Sequence, residues 1–260
     1  MKFFDEFQTY SENIAISKKF IKEEINVEAT VLDFIKYVSK NDNVGYILEI
    51  IPVYNSGITK TNIIFVYNEN YFIQEFEDIS LNKISDDVLV LMMEDFIKND
   101  FNEHKISNLV KTLIFKKREI STMESCTSGM VANLIINTEG ASNILKGAYI
   151  TYSNEAKVMA GVDKDLIDAF GVYSKEVAFS MADTCKKDFN ANIGIGVTGT
   201  TGNVDPVNKD SIQGEIYFRI ETDFGKASCK LRIDTNKLSR KEIKEIICGN
   251  IFRVLEFLET

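Results

Sequence analysis

EISTMESCTSGMVANLIINT, residues 119–138, decides how the second half of this chain folds. Its first seven residues read as a short strand, and Met130, Val131, Leu134 and Ile135 then recur at helical spacing. Between them Ser125, Cys126, Thr127, Ser128 and Gly129 make a turn of small residues. The same grammar continues on both sides. Upstream, ISNLVKTLIFKKR (106–118) is an amphipathic helix with Ile106, Leu109, Leu113 and Ile114 on one side. Downstream come the strand GAYITYS (147–153) and the helices NEAKVMAG (154–161) and DKDLIDAF (163–170). A helix SKEVAFSMADTCKKDF (174–189) follows, with Ser174 placed to cap it and Glu176 set favourably in its first turn. ANIGIGVTG (191–199) reads as a buried strand, GEIYFRIET (214–222) and KASCKLRID (226–234) as a hairpin, and SRKEIKEIICGNIFRVLEFLE (239–259) as a closing amphipathic helix. Strands alternating with helices predict an α/β fold, a three-layer α/β/α domain over residues 105–260.

Residues 1–104 read differently, as a smaller α+β domain. EFQTYSENIAISKKFIKEEI (6–25), EATVLDFIKYVSK (28–40) and DDVLVLMMEDFIKND (86–100) carry apolar residues at three- and four-residue spacing and predict helices. VGYILEIIPVY (44–54) and TNIIFVY (61–67), separated by Asn55-Ser56-Gly57, predict a strand pair, and NENYFIQEF (68–76) continues the β pattern. No motif that carries chemistry occurs in this part, which reads as a folding, docking or assembly module. It is acidic, with 19 acidic and 9 basic side chains, against 20 and 21 in residues 105–260. Phosphate repulsion argues against nucleic acid as its ligand.

The whole-chain composition sets outer bounds. At 260 residues and 45% hydrophobic content the chain has enough apolar mass for a core, which excludes a disordered tail. No apolar run approaches the ~20 residues that span a bilayer, so no membrane association is expected. Asp5 and Glu6 interrupt the start before a secretory apolar stretch develops. Cys126, Cys185, Cys229 and Cys248 are widely separated and fit a reducing cytoplasm better than a disulfide framework or zinc ribbon.

Chemistry is narrowed by the single histidine. His104 lies in a polar helix-like stretch and reads as a solvated surface residue, which removes a Ser-His-Asp triad and a His-rich metal site. Three strand ends remain. Ser125 ends the first, with helix-start amides of residues 126–128 beside it, suited to an oxyanion or phosphate. Cys126 is an alternative nucleophile there, though a small buried helix residue suits it better without a histidine base. The second is TYSNEAK (151–157), where Tyr152 precedes Lys157 by about one helical turn. A serine without histidine can be activated by a neutral lysine, provided burial or neighbouring cations lower the amine's pKa from about 10.4. The third is VTGTTG (197–202), where Thr198, Gly199 and Gly202 would let backbone approach a ligand. It has neither the lysine of a P-loop nor G-x-G-x-x-G spacing. Ligands of open α/β sheets bind beyond the carboxyl ends of the strands, which is where all three features fall.

MESCTSG, GAYITYSNEAKVMAGV, GVYSKEVA, GVTGTTG and IQGEIYF, in that order, resemble the C-terminal domain of the CinA family, the nicotinamide-nucleotide amidase or NMN deamidase, over roughly residues 104–260. The resemblance implies a three-layer α/β/α amidase that hydrolyses the carboxamide of nicotinamide mononucleotide to nicotinate mononucleotide and ammonia, without metal or other cofactor. By position, Ser125 matches the family nucleophile, Lys157 its proposed base and Tyr152 the neighbouring catalytic tyrosine, with Tyr152 or Lys157 expected to protonate the departing ammonia. Thr127, Thr198 and Gly199 match positions implied to serve the substrate, and Arg240 matches an arginine that could serve the substrate or the fold. A homo-oligomer with a small nucleotide substrate is the implied partnership. Two departures stand out. Ser128 replaces the first glycine of the usual C-T-G-G turn, and GTTGNVDPVNKD (199–210) replaces a loop usually rich in Gly and Pro. The first 104 residues are too few for the molybdopterin-binding-like domain of full-length CinA proteins. The leading reading is therefore an amidase with a Ser-Lys site. The alternatives are a non-catalytic nucleotide-binding or regulatory protein on the same scaffold, and a Ser-Lys hydrolase for another amide.

Overall fold

The computed structural model describes residues 8–11, 14–21, 45–52, 60–67, 70–77 and 101–259. The chain divides into two compact units, Met1–Asn99 and Asp100–Thr260.

In the first unit, β1 (Gln8–Ser11), β2 (Ile14–Ile21), β3 (Gly45–Pro52), β4 (Lys60–Tyr67) and β5 (Asn70–Glu77) lie side by side in chain order. β2 and β3 are parallel, and the other neighbours are antiparallel. The expected strand pair is β3 and β4, in register from Tyr46 opposite Val66 to Ile50 opposite Asn62. The helix expected over residues 6–25 is replaced by β1 and β2. IAISKKFI also fits a two-residue period through Ile14, Ile16 and Phe20, and is rich in β-branched residues. Pairing along its full length with β3, from Ile14 opposite Gly45 to Ile21 opposite Pro52, resolves that ambiguity in favour of strand. The helices expected over 28–40 and 86–100 lie outside the described residues.

The second unit is the three-layer α/β/α domain. Its elements are α1 (Glu103–Phe115), β6 (Ile120–Glu124), α2 (Met130–Ile136), β7 (Leu145–Ile150), α3 (Asn154–Met159), α4 (Lys164–Phe170), α5 (Lys175–Asp188), β8 (Ile193–Gly199), β9 (Glu215–Glu221), β10 (Lys226–Arg232) and α6 (Arg240–Glu259). The sheet order is β10-β9-β8-β6-β7. β7, β6 and β8 are parallel, while β8–β9 and β9–β10 are antiparallel, the latter being the expected hairpin. No helix among the described residues is long and apolar enough to cross a membrane.

This order places a crevice. From β6 the chain passes through α2 to β7 on one side, and from β7 through α5 to β8 on the other side of β6. The connections diverge at the carboxyl ends of β6 and β8, which is where open α/β sheets hold ligands. α5 covers one face of the sheet and α1, α2 and α6 lie on the other. Strand alternation assigns the side chains: Met123 joins Val177, Met181 and Cys185 of α5 in one buried cluster, so Glu124 points to the α2 side.

Contact between β8 and α5 is unusually close. A Cβ on Gly194 would stand 2.3 Å from the Ala182 carbonyl oxygen, and one on Gly196 2.3 Å from that of Ala178. Both obstacles are helix backbone, which cannot swing aside. Gly196→Ala should therefore push α5 off the sheet and destabilise the domain by about 2–3 kcal/mol, lowering the melting temperature by roughly 5–10 °C. Thermal unfolding followed by circular dichroism measures this.

Candidate active site

Strand register brings the two distant motifs together. Glu124 pairs with Ile150 across the parallel β6–β7 ladder, so the residues that follow, Ser125 and Thr151, leave the sheet side by side. Ser125 is held to β8 by its amide, which donates to the Val197 carbonyl at 3.0 Å. Ser153 then caps α3, accepting from the Ala156 amide at 3.1 Å. Lys157 lies one turn into that helix, and long helical side chains lean toward the N-terminus. Its amine therefore returns over the start of its own helix. Lys157 Nζ donates to Ser125 Oγ at 3.0 Å and to the Thr151 carbonyl at 3.0 Å.

The pair is enclosed. Lys157 is only 1% exposed and Ser125 is also buried. Burial pulls the Lys157 ammonium from its ordinary 10.5 down to about 8, against the weaker opposing pull of the Asp205 carboxylate. Cys126 is buried too, and burial pushes its thiol up to about 12, so it remains protonated and a poor nucleophile near neutral pH. The turn is closed by the Ser128 amide donating to the Ser125 carbonyl and the Met130 amide to the Thr127 carbonyl, both at 3.1 Å. Among the described residues the Cys126 and Thr127 amides have no backbone oxygen acceptor and lie against the Cys126 sulfur.

The remaining expected residues are distributed as follows. Tyr152 lies beyond the end of β7 and is 64% exposed. Its hydroxyl accepts from Arg240 Nη2 at 3.3 Å. Arg240 opens α6 and spreads over the third motif, with its Nη1 2.8 Å from where a Cβ on Gly202 would be. Tyr152, Arg240 and Gly202 thus form one exposed cluster, separate in character from the buried pair. Thr198 is buried, and its hydroxyl donates to the Val172 carbonyl at 3.0 Å. Thr127 is buried and donates to Glu124 Oε2 at 2.7 Å. Both hydroxyls are committed within the fold. Gly199 ends β8 with φ 154°, and a Cβ there would meet the Glu215 carbonyl at 2.6 Å. Two residues that sequence reasoning missed also belong here. Glu124 is fully buried, and the Thr151 hydroxyl is buried without a hydrogen-bond partner among the described residues.

The loop after β8 is firmly tied. Thr200 Oγ1 and Ser211 Oγ lie 2.9 Å apart, and Asp205 accepts from Tyr173 Oη, Asn208 Nδ2 and the Val207 amide at 2.7–2.9 Å. Those donors, led by Asn208, lower the Asp205 carboxyl below its usual range. Asp210 accepts from the Tyr173 amide at 2.8 Å, and Asn154 at the start of α3 donates to Asn208 at 2.8 Å.

Residues 102–258 match the family of the CinA C-terminal domain. The chain belongs to that family. A CinA-like protein of Prochlorococcus marinus subsp. pastoris is 31% identical over 185 residues, covering 68% of this chain and 42% of the relative. A CinA-like protein of Flavobacterium psychrophilum is 38% identical over 155 residues, covering 57% of this chain and 36% of the relative. The chain thus spans less than half the length of these curated relatives. The crystal structure of competence/damage inducible protein CihA from Agrobacterium tumefaciens superposes with a TM-score of 0.53 at 25% identity, covering 60% of this chain and 96% of that one.

Within this CinA domain, the substituted turn has a measurable consequence. Ser128 adopts φ 55°, in the left-handed region that costs a side-chain-bearing residue about 1 kcal/mol, and its hydroxyl returns only a long 3.4 Å contact to the Ser125 carbonyl. Ser128→Gly should leave the melting temperature unchanged or raise it by about 2 °C, whereas Gly129→Ala, at φ 87° and 2.9 Å from Ile150 Cδ1, should lower it.

Burying Lys157 also costs stability, with a definite pH signature. Below pH 8 the lysine is charged in both folded and unfolded chains, and the cost is fully present. Between about 8 and 10.5 the folded chain gives up a proton that the unfolded chain retains, so stability rises with pH. Lys157→Met, similar in size and uncharged, should be more stable than the parent by about 1–3 kcal/mol near pH 7. The gap should narrow above pH 8. Urea unfolding of both proteins at pH 6.5 and 9.5 checks sign and trend.

Proposed function

We propose that this CinA-family domain is a Ser-Lys amidase whose substrate is nicotinamide mononucleotide or a close relative, converted to the nicotinate nucleotide and ammonia. The observation that carries the reading is the 3.0 Å contact between Lys157 Nζ and Ser125 Oγ in a buried site at the β6–β8 crevice. A surface lysine would remain charged at neutral pH and unable to take a proton. An amine whose pKa is near 8 supplies a useful neutral fraction.

The mechanism follows from these positions. Neutral Lys157 takes the Ser125 proton as Oγ attacks the carboxamide carbon. The developing oxyanion is received by the Cys126 and Thr127 amides, a role in which losing one donor typically costs about 3 kcal/mol of barrier. Lys157 returns the proton to the departing nitrogen, the C–N bond breaks and ammonia leaves. Water, deprotonated by the same amine, then hydrolyses the acyl ester and restores Ser125. Arg240, beside Tyr152 and over Gly202, is the cation placed to meet a substrate phosphate. The substrate class is supported by family membership together with that exposed arginine at the mouth.

Purified protein should release ammonia from nicotinamide mononucleotide, with kcat/KM rising about tenfold per pH unit below pH 8 and levelling above it. Ser125→Ala should lower turnover by at least ~10³-fold while nucleotide still raises the melting temperature. Nucleotide-dependent stabilisation of the parent without ammonia release would instead assign a binding or regulatory role, and release only from other amides would reassign the substrate.

A further inference from the structure

Glu124 is the residue before the serine, in a strand whose five positions are all buried. Its carboxylate is fully enclosed and receives four donors. Oε2 accepts from Thr127 Oγ1 at 2.7 Å and the Val131 amide at 3.1 Å, and Oε1 from the Ala132 amide at 2.9 Å and Thr122 Oγ1 at 3.2 Å. Four donors and no acceptor are the surroundings a carboxylate uniquely satisfies. α2 needs such a partner, because its N-cap is Gly129, which has no side chain to cap it.

Capping alone does not account for where these bonds lead. One of them ties Thr127, in the middle of the Ser125 turn, and two tie the first helical turn beyond it. The Glu124 main-chain oxygen meanwhile accepts from the Thr151 amide at 2.8 Å. Thr151 in turn offers the carbonyl against which Lys157 Nζ is set, and Lys157 reaches Ser125. Since Ser125 is covalently next to Glu124, the four residues close a ring. Apart from Lys157 itself, Glu124 is the member that touches both the nucleophile's turn and the lysine's support.

We propose that Glu124 is the positioning residue of the Ser125–Lys157 pair, its carboxylate fixing the 125–128 turn on α2 and its main-chain oxygen fixing Thr151 beneath Lys157. This rests on the Ser-Lys reading above. A glutamine in its place has the same shape but must turn its NH₂ group toward either the Val131 or the Ala132 amide, so one donor always faces another. The turn then loosens at the two amides that would receive an oxyanion, and water gains access to the Lys157 amine.

The test uses a fluorophosphonate probe on the full chain, which reports on the serine whatever the natural substrate. Ser125 Oγ forms a bond to phosphorus, fluoride leaves, and the serine proton passes to Lys157 and then to solvent. The parent should label at Ser125, the Ser125→Ala variant should not, and the rate should rise with pH. Glu124→Gln should label to the same end point with a rate constant lower by about 10–100-fold, and with the pH midpoint displaced upward. A rate within twofold of the parent, or a loss confined to the end point through partial unfolding, overturns the assignment. If circular dichroism shows Glu124→Gln unfolded, Thr127→Val decides, since it removes one of the four bonds without adding a donor. It should slow labelling about 3–10-fold, and an unchanged rate overturns the proposal. Absence of Ser125 labelling in the parent between pH 6 and 10 overturns the Ser-Lys reading and the positioning role with it. Normal parent labelling with an indifferent Glu124→Gln overturns only the latter.

Discussion

A lysine amine buried against a serine hydroxyl organises the second unit of this protein. Taking an ammonium from water is costly, and among the described residues only two hydrogen bonds, to Ser125 Oγ and the Thr151 carbonyl, meet the Lys157 amine inside. The surrounding structure must therefore hold both acceptors in place. It does so with the most rigid parts available, the ends of two adjacent parallel strands. β6 presents Ser125, β7 presents Thr151, and the ladder between them fixes their separation before any loop contributes. The α3 cap at Ser153 then sets the direction from which the amine arrives. Balance of forces decides the resulting basicity. Burial opposes the charged form, nearby Asp205 favours it, and burial prevails.

The glycines of β8 serve the same geometry from the other face. Gly194 and Gly196 let α5 press its backbone onto the centre of the sheet. On the opposite face Glu124 performs the complementary task, filling the gap between strand end and helix start with a carboxylate that satisfies donors from both. One strand thus packs on α5 through Met123 and turns Glu124 to the other face. That asymmetry is possible because alternate residues of a strand point in opposite directions.

Much of this architecture was legible in the sequence, and the limits have physical causes. The α/β alternation from residue 105 onward was readable because hydrophobic periodicity changes cleanly between ESCTSG and the helix after it, and again around TYSNEAK and GVTG. In residues 6–25 it does not change cleanly. Ile14, Ile16 and Phe20 also fit a two-residue period, and only pairing with β3, more than twenty residues away, selects strand. The 32-residue separation of Ser125 and Lys157 says nothing about contact until the β6–β7 register is known. Thr127 and Thr198 show a different limit. Sequence marks them as hydroxyls near strand ends but cannot tell that Glu124 and the Val172 carbonyl already engage them. A signal for Glu124 was present: an acidic residue inside a short apolar strand must find several donors or leave the core.

The loop over residues 199–214 shows how a site can change its surroundings without changing its centre. A glycine-rich loop meets an anion through backbone amides, whereas this loop directs its own amides and hydroxyls inward. Asp205 takes the Val207 amide, the Asn208 side chain and the Tyr173 hydroxyl, and Asp210 takes the Tyr173 amide. Those groups are then unavailable to a ligand, and two carboxylates add negative charge near the crevice. Positive charge at the mouth comes instead from Arg240, anchored on Tyr152 and lying over Gly202. The chemical pair and the recognition surface are consequently set by different elements. β6, β7 and α3 hold the pair, while α6 and the post-β8 loop form the rim. The Ser125–Lys157 contact itself uses no residue of 199–214, and the loop reaches the helix that carries Lys157 through the Asn154–Asn208 hydrogen bond. Two links cross between them, the Asn154–Asn208 hydrogen bond and the field of Asp205 on the Lys157 amine, so the loop bears on the centre through both α3 and basicity.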